Sequence, residues 1–200
     1  MALTRRDDGQ DGVKAPARQT LAGRFARDRK GAAAIEFAIL VIPFLMVIFA
    51  SIETFVAFTG EQILANATQT MARKIRTGLL PATMNQSEFR TAFCNELTAM
   101  LSCSASEVGT PAKLLIDVRS YTSFSDIPIA IPRKGTDLDV TGFKYAPGGP
   151  GSINLIRAYY RWTVVTDLVR PYITNLRPAG SSMPNDYLMA TTAAFMNEKF

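Results

Sequence analysis

The feature that most constrains this chain is an uninterrupted apolar run near its N-terminus. From Phe37 to Ile52 the sequence reads FAILVIPFLMVIFASI and contains no charged residue. A helix that crosses the hydrocarbon core of a bilayer needs about 20 predominantly apolar residues. Residues 32–58 supply that length, so the sequence predicts a membrane-spanning helix. Two carboxylates lie at its rims, Glu36 at the start and Glu53 near the far end.

Basic residues are concentrated before this run. Residues 1–31 contain eight Lys or Arg and four Asp, which accounts for most of the net charge of +5. Because Lys and Arg beside a membrane helix are retained on the cytoplasmic side, we expect residues 1–31 to be a cytoplasmic leader. The expected location is the inner membrane, in a single pass, with the bulk of the chain outside the cytoplasm. The rest of the chain is nearly balanced in charge, so nucleic acid is not an expected partner.

The apolar run is longer than the core of a secretory signal peptide, and the sequence after it is a poor match to a small-residue cleavage site. We therefore expect a retained anchor whose helix continues to Arg76, because apolar residues recur at helical spacing from residue 63 to residue 75. Gly78 is a suitable stop, so the helical segment is predicted over residues 32–78. Pro43 removes a backbone donor inside the span, which either kinks the helix or is tolerated there.

Residues 79–200 are numerous enough for one compact domain outside the membrane. A helix is predicted from Glu88 to Leu101 with Ser87 as its cap. Predicted strands follow, with an irregular, Pro- and Gly-rich connection between the first two long ones; they are Leu114–Tyr121, a short strand within Leu138–Phe143, Ile153–Leu168 and Tyr187–Met196. Strands that succeed one another without helices between them favour an antiparallel sheet of three or four strands packed on helix, an α+β fold.

The chain has two cysteines, Cys94 and Cys103. Outside the cytoplasm disulfides persist, so a bond between them is the natural expectation. The alternatives are metal ligation and a reactive thiol. Metal ligation has little support, because the chain contains no histidine and two thiolates alone do not make a zinc site.

Catalytic motifs are missing from the sequence. Without histidine the chain lacks the usual general base near neutral pH. The segment Gly148-Gly149-Pro150-Gly151 lacks the Lys-Ser/Thr ending of a phosphate-binding loop. The aspartates after residue 116 are scattered rather than paired. We therefore expect a protein that is not an enzyme and that binds no cofactor and no metal; an anchored enzyme would need a site that the sequence does not reveal.

The start of the helix resembles a known processing site. Gly31, four small or apolar residues and then Glu36-Phe37, behind a basic leader, are similar to the precursors of type IV pilin-like proteins. Within that class the chain resembles the TadE-like family, the pseudopilins of the tight-adherence (Tad) pilus system. The similar segments span about residues 27–200, and only the first of them is sharp; the others are Ala72–Gly78, the two cysteines, Asp117-Val118-Arg119, Tyr159-Tyr160 and Phe195–Glu198. The final Lys199-Phe200 departs from the family, where a proline precedes the aromatic residue.

This resemblance implies that a prepilin peptidase cuts between Gly31 and Ala32. Glu36 would then be the fifth residue of the mature chain and would pair with the new amine of a neighbouring subunit. The implied partners are the peptidase, the major pilin, sister minor pseudopilins, the Tad inner-membrane platform and membrane lipid. By position alone, Glu36 could equally reach the cytoplasmic interface of a plain anchor. Glu53 either contacts a partner or marks the outer interface.

The implied function is assembly or initiation of a Tad pilus that supports adhesion to surfaces. The alternative is an uncleaved single-pass envelope protein whose outer domain binds a ligand by itself.

Overall fold

The computed structural model describes residues 29–97, 100–101, 103–166, 170–177 and 186–199. The predicted leader therefore lies outside the described residues as far as Asp28. The chain divides between Phe44 and Leu45 into two units. The described part of the first unit is wholly helical, and the second unit contains the rest of that helix and all the strands found in the described residues.

In the described residues the long N-terminal helix is followed by a sheet with short helices. The helices are α1 (Arg29–Arg76), α2 (Gln86–Glu96), α3 (Ala105–Gly109) and α4 (Arg170–Ile173), and the strands are β1 (Leu114–Tyr121), β2 (Arg133–Lys134), β3 (Asp137–Leu138), β4 (Tyr145–Ala146), β5 (Ile153–Thr163) and β6 (Asp186–Met196). A 3₁₀ turn covers Phe124–Asp126. The predicted α+β fold is confirmed.

Four strands form the main sheet in the order β4-β1-β5-β6. The three long strands are antiparallel neighbours, with Leu114 opposite Tyr160 and Thr163 opposite Asp186. β4 adds a two-residue edge parallel to β1, so the sheet is mixed rather than purely antiparallel. The short strand predicted within Leu138–Phe143 is displaced, because β3 begins one residue earlier and pairs with β2 in a separate ribbon.

The predicted strand over Ile153–Leu168 ends early, at Thr163. The backbone leaves the sheet there, since the next residues turn toward α1 and Val165 donates its N–H to the Glu53 carboxylate. Leu168 lies outside the described residues.

The core lies between α1 and one face of the sheet. Helical spacing on α1 buries a single stripe, Leu64, Ala67, Met71 and Ile75. Period-2 alternation puts Leu114, Ile116 and Val118 on the sheet face that packs in the same cluster. Both sets agree with the sequence prediction. β1 is also buried on its other face, where Leu115 packs with Tyr159 in a second cluster.

α1 ends as predicted. Gly78 has a φ of +74°, a conformation that costs glycine little, and its N–H bonds to the carbonyl of Ile75 at 3.1 Å. Arg73, Lys74 and Arg76 lie in the last turn, where cations favour the negative end of the helix dipole.

The second helix starts and ends earlier than predicted. Asn85, not Ser87, is the cap: its Oδ1 accepts from the Glu88 N–H at 2.8 Å, and the Glu88 carboxylate accepts from the Asn85 N–H at 3.1 Å. This reciprocal pair is a capping box, which fixes the start of α2 at Gln86. α2 ends at Glu96, so the predicted extension to Leu101 is wrong, although Leu101 is buried.

A buried guanidinium holds the connection after α2. Arg90 is 3% exposed and donates to the carbonyls of Glu107, Val108 and Leu114. The Glu107 carboxylate in turn accepts from three successive N–H groups that lead into β1, those of residues 112–114. Burial lowers the pKa of Arg90 and the Glu107 charge partly opposes that change. Sequence analysis singled out neither residue.

Candidate functional site

The first part of α1 presents apolar side chains on all sides. The large hydrophobic residues from Ile35 to Ile52 are 36–70% exposed, except Val41, which is half-buried. The most apolar 18 residues of this helix have a mean hydropathy of 2.6. None of these residues is buried against the other described residues. This helix is long and apolar enough to cross a membrane, which supports the predicted single span.

Glu36 is exposed on this apolar helix, between Ile35 at 63% and Phe37 at 68% exposed. Gly31 and Ala32, the predicted cleavage pair, are helical and exposed. A side chain built on Gly31 would meet no described atom within 4 Å. None of the described residues therefore covers the predicted processing site.

Pro43 lies inside α1, with helix on both sides of it. The helical assignment is unbroken there. Whether the proline bends the axis stays a prediction.

The Glu53 carboxylate is at the point where α1 first meets the sheet domain. It is 8% exposed and receives three hydrogen bonds. Oε1 accepts from the indole Nε1 of Trp162 at 3.3 Å and from the N–H of Val165 at 3.4 Å. Oε2 accepts from the hydroxyl of Thr166 at 3.1 Å.

The donors of these three hydrogen bonds are all neutral groups. Hydrogen bonds to an ionised acceptor are roughly twice as strong as neutral ones. Sequence analysis proposed an outer-interface or partner role for Glu53 and missed this intramolecular one. The chain's only tryptophan, nine residues after the start of β5, was the one available signal.

A half-open apolar cavity of about 180 Å³ adjoins Glu53. It is lined on the α1 side by Thr54, Ala57, Phe58 and Glu61, and on the sheet side by Trp162, Val164, Ile173 and Tyr187. The Tyr187 hydroxyl donates to Glu61 Oε1 at 2.7 Å. Burial, together with this carboxylate, raises the pKa of Tyr187 to about 12.

α1 approaches β6 closely at Gly60, about two turns after Glu53. At Gly60 an added Cβ would lie 3.0 Å from Cε of Met189. Two turns later the hydroxyl of Thr191 bonds to that of Thr68 at 2.6 Å. The small residues Gly60 and Thr68 allow the helix to lie against the strand.

Cys94 lies on α2 and Cys103 follows it, with their Cα atoms 5.5 Å apart. A disulfide accommodates that separation. The structure joins the two sulfur atoms. The redox state in the cell stays a prediction. Among the described residues, no three His, Cys, Asp or Glu side chains are grouped so that they could hold a metal ion.

Residues 31–73 match the family model described as TadE-like protein. α1 is similar to this family over those residues. The predicted resemblance is confirmed over these residues, and the match begins at the predicted cleavage pair and includes Glu36, Pro43 and Glu53. No curated protein and no solved structure matches the chain.

Segments beyond the TadE-like match have structural roles of their own. Asp117 pairs with Arg119 at 2.9 Å and accepts from the N–H of Lys144, which positions β4. Near the end of the chain, the Asn197 amide donates to the carbonyls of Gly148 and Gly149 at 2.8 and 3.1 Å. These contacts give Asp117, Arg119 and Asn197 roles in holding the folded domain together.

Proposed function

We propose that this protein is a non-enzymatic pseudopilin that takes part in the assembly or initiation of a Tad pilus. The TadE-like match points to Tad pilus systems. The observation that carries the finer proposal is Glu36, an exposed carboxylate on an exposed apolar helix within the matched residues.

Processing would give Glu36 a partner. Cleavage between Gly31 and Ala32 leaves a positive amine about one helical turn before the carboxylate. A lone carboxylate in apolar surroundings is costly, and an ion pair with the amine of a neighbouring subunit offsets part of that cost. The exposed apolar residues around Glu36 are suited to packing against other pilin helices.

In this proposal the leader is cytoplasmic, the span lies in the inner membrane, and the sheet domain is outside the cytoplasm. In this proposal the sheet domain contacts sister pseudopilins, and α1 contacts the assembly platform in the membrane. Three features of the domain support a role as a rigid contact module, because each restrains the backbone near the domain surface. They are the capped helix α2, the buried Arg90 and the paired cysteines.

The test is the intact mass and N-terminal sequence of membrane-extracted protein, from cells with and without the prepilin peptidase. We expect a chain that starts at Ala32 only when the peptidase is present. A Gly31→Leu variant is the matched control, because a bulky side chain at the cut should leave the full chain in both strains.

A chain that starts at Met1 in both strains would overturn the processing step. The uncleaved envelope protein with an autonomous binding domain would then be the better account, and the sheet domain would be the part to test for binding.

A further inference from the structure

The end of the sheet that faces Glu53 can be located from its registers. β5 ends at Thr163 opposite Asp186, the first residue of β6. Trp162, beside that end, bonds to Glu53. At the other end of the sheet, the Glu198 N–H bonds to the carbonyl of Arg76. The part of α1 after Glu53 thus runs the length of the sheet, and Glu53 marks one end of the domain.

Four large apolar side chains are exposed at this Glu53 end of the domain. Val165, whose N–H bonds to Glu53, is 78% exposed, and Tyr172 is 85% exposed. Tyr172 is in α4 beside Ile173, which lines the cavity with Glu53. On α1 at the same level, Phe55 and Phe58 are 70% and 59% exposed. We refer to Phe55, Phe58, Val165 and Tyr172 as the basal patch.

The length of the apolar run puts the basal patch at the edge of a bilayer. A hydrocarbon core takes about 20 helical residues. Counted from Ala32, that length is used up near Ile52, immediately before Glu53. Trp and Tyr are the residues that concentrate at membrane interfaces. Trp162, Tyr172 and Tyr187 all lie at this end of the domain.

We propose that the basal patch is a lipid-contact surface, which seats the sheet domain directly on the bilayer that α1 crosses. The occupant is the boundary between lipid headgroups and acyl chains. On α1, Phe55 and Phe58 follow within two turns of Ile52, which ends the exposed apolar run of this unit, and the adjoining half-open cavity is lined almost wholly by apolar groups. Buried apolar area drives such contact at the interface. The inference rests on the membrane span of the proposed function and not on its pilus role.

Site-directed nitroxide labels in lipid vesicles test this proposal with the full chain. The label would be attached to Val165→Cys and to Tyr172→Cys, and its collision rates with oxygen and with a water-soluble nickel chelate would be compared. Val47→Cys is the lipid reference, since Val47 is on the span and 66% exposed. Phe124→Cys is the water reference, because Phe124 is 53% exposed and follows β1 at the opposite end of the sheet. The parent protein reports any background labelling.

We expect the oxygen-to-nickel ratio at residues 165 and 172 to be higher than at residue 124 and lower than at residue 47. Ratios at 165 and 172 equal to that at 124, with a lipid-like label at 47, would overturn the lipid contact and leave the span intact. A water-like label at 47 would overturn both. Loss of pilus assembly or of cleavage would not change any of these ratios.

Discussion

The junction between α1 and the sheet domain depends on the Glu53 carboxylate, and Glu53→Ala is the substitution that tests it. The change removes the acceptor for the Trp162 indole, the Val165 N–H and the Thr166 hydroxyl. A buried donor left without an acceptor costs about 1–3 kcal/mol. The Thr166 hydroxyl can rotate to another acceptor, so only the N–H groups of Trp162 and Val165 are left without a partner.

Both N–H donors are near the domain surface, since Trp162 is half-buried and Val165 is exposed. The lower end of the range therefore applies, and we expect Glu53→Ala to reduce the free energy of unfolding by about 2 kcal/mol. For a protein of this size that corresponds to a fall in Tm of roughly 4–8 °C. Glu53→Gln keeps an acceptor for the two N–H groups and can donate to the hydroxyl, so its expected cost is less than about 1 kcal/mol.

The assay is denaturant unfolding of detergent-solubilised protein, followed by the fluorescence of Trp162. This is the chain's only tryptophan, and it contacts the mutated group. Ser51→Ala is the matched control, because Ser51 is an exposed α1 residue that bonds only within its helix, to the carbonyl of Val47. Wild-type stability of Glu53→Ala would refute the account of the junction. A loss in Glu53→Gln as large as in Glu53→Ala would show that charge, and not an acceptor for the two N–H groups, is what matters.

Three further predictions concern other parts of the chain. Glu36→Ala should insert in the membrane normally but produce no pili, because the proposed ion pair with a neighbouring subunit would be lost; normal piliation by electron microscopy would contradict the pairing. Cys94→Ser should lower the stability of the sheet domain by about 2–4 kcal/mol, and an unchanged Tm under oxidising conditions would argue against the bond. Tyr187 should titrate near pH 12 in ultraviolet difference spectra of the folded protein, and Glu61→Gln should shift that pKa toward 10. Because the folded pKa of Tyr187 lies above the unfolded value, its contribution to stability is complete below pH 10 and is lost between pH 10 and about 12; no difference between wild type and Glu61→Gln in that window would contradict it.

Local signals account for the elements that were predicted well. Gly78 ends α1 because glycine takes a positive φ easily, and that preference is a property of the residue itself. The alternation of Leu114, Ile116 and Val118 predicted both the strand and its core face. Where two local signals competed, the prediction failed: Asn85 and Ser87 are both good caps, and only the reciprocal bond to Glu88 selects Asn85.

The residues of the candidate site also fall into those that local sequence predicted and those that it did not. The apolar run and the pattern from Gly31 to Phe37 that predicts cleavage can both be recognised in the sequence, since each depends on neighbouring residues alone. The role of Glu53 was not predictable, because its three donors are more than 100 residues away along the chain. The role of Arg90 was not predictable either, because its three carbonyl acceptors are brought together only by the turn into β1.

The sequence by itself determined a long apolar helix and an α+β domain after it, because hydrophobic periodicity and turn residues act locally. Only the tertiary structure decided that β4 joins the sheet in parallel, that β5 stops at Thr163, and that Glu53 is a buried acceptor. The physical reason is that a strand's partner and a buried polar group's donor are chosen by which distant segments pack together. A local sequence pattern therefore does not predict which strand or which donor will be the partner.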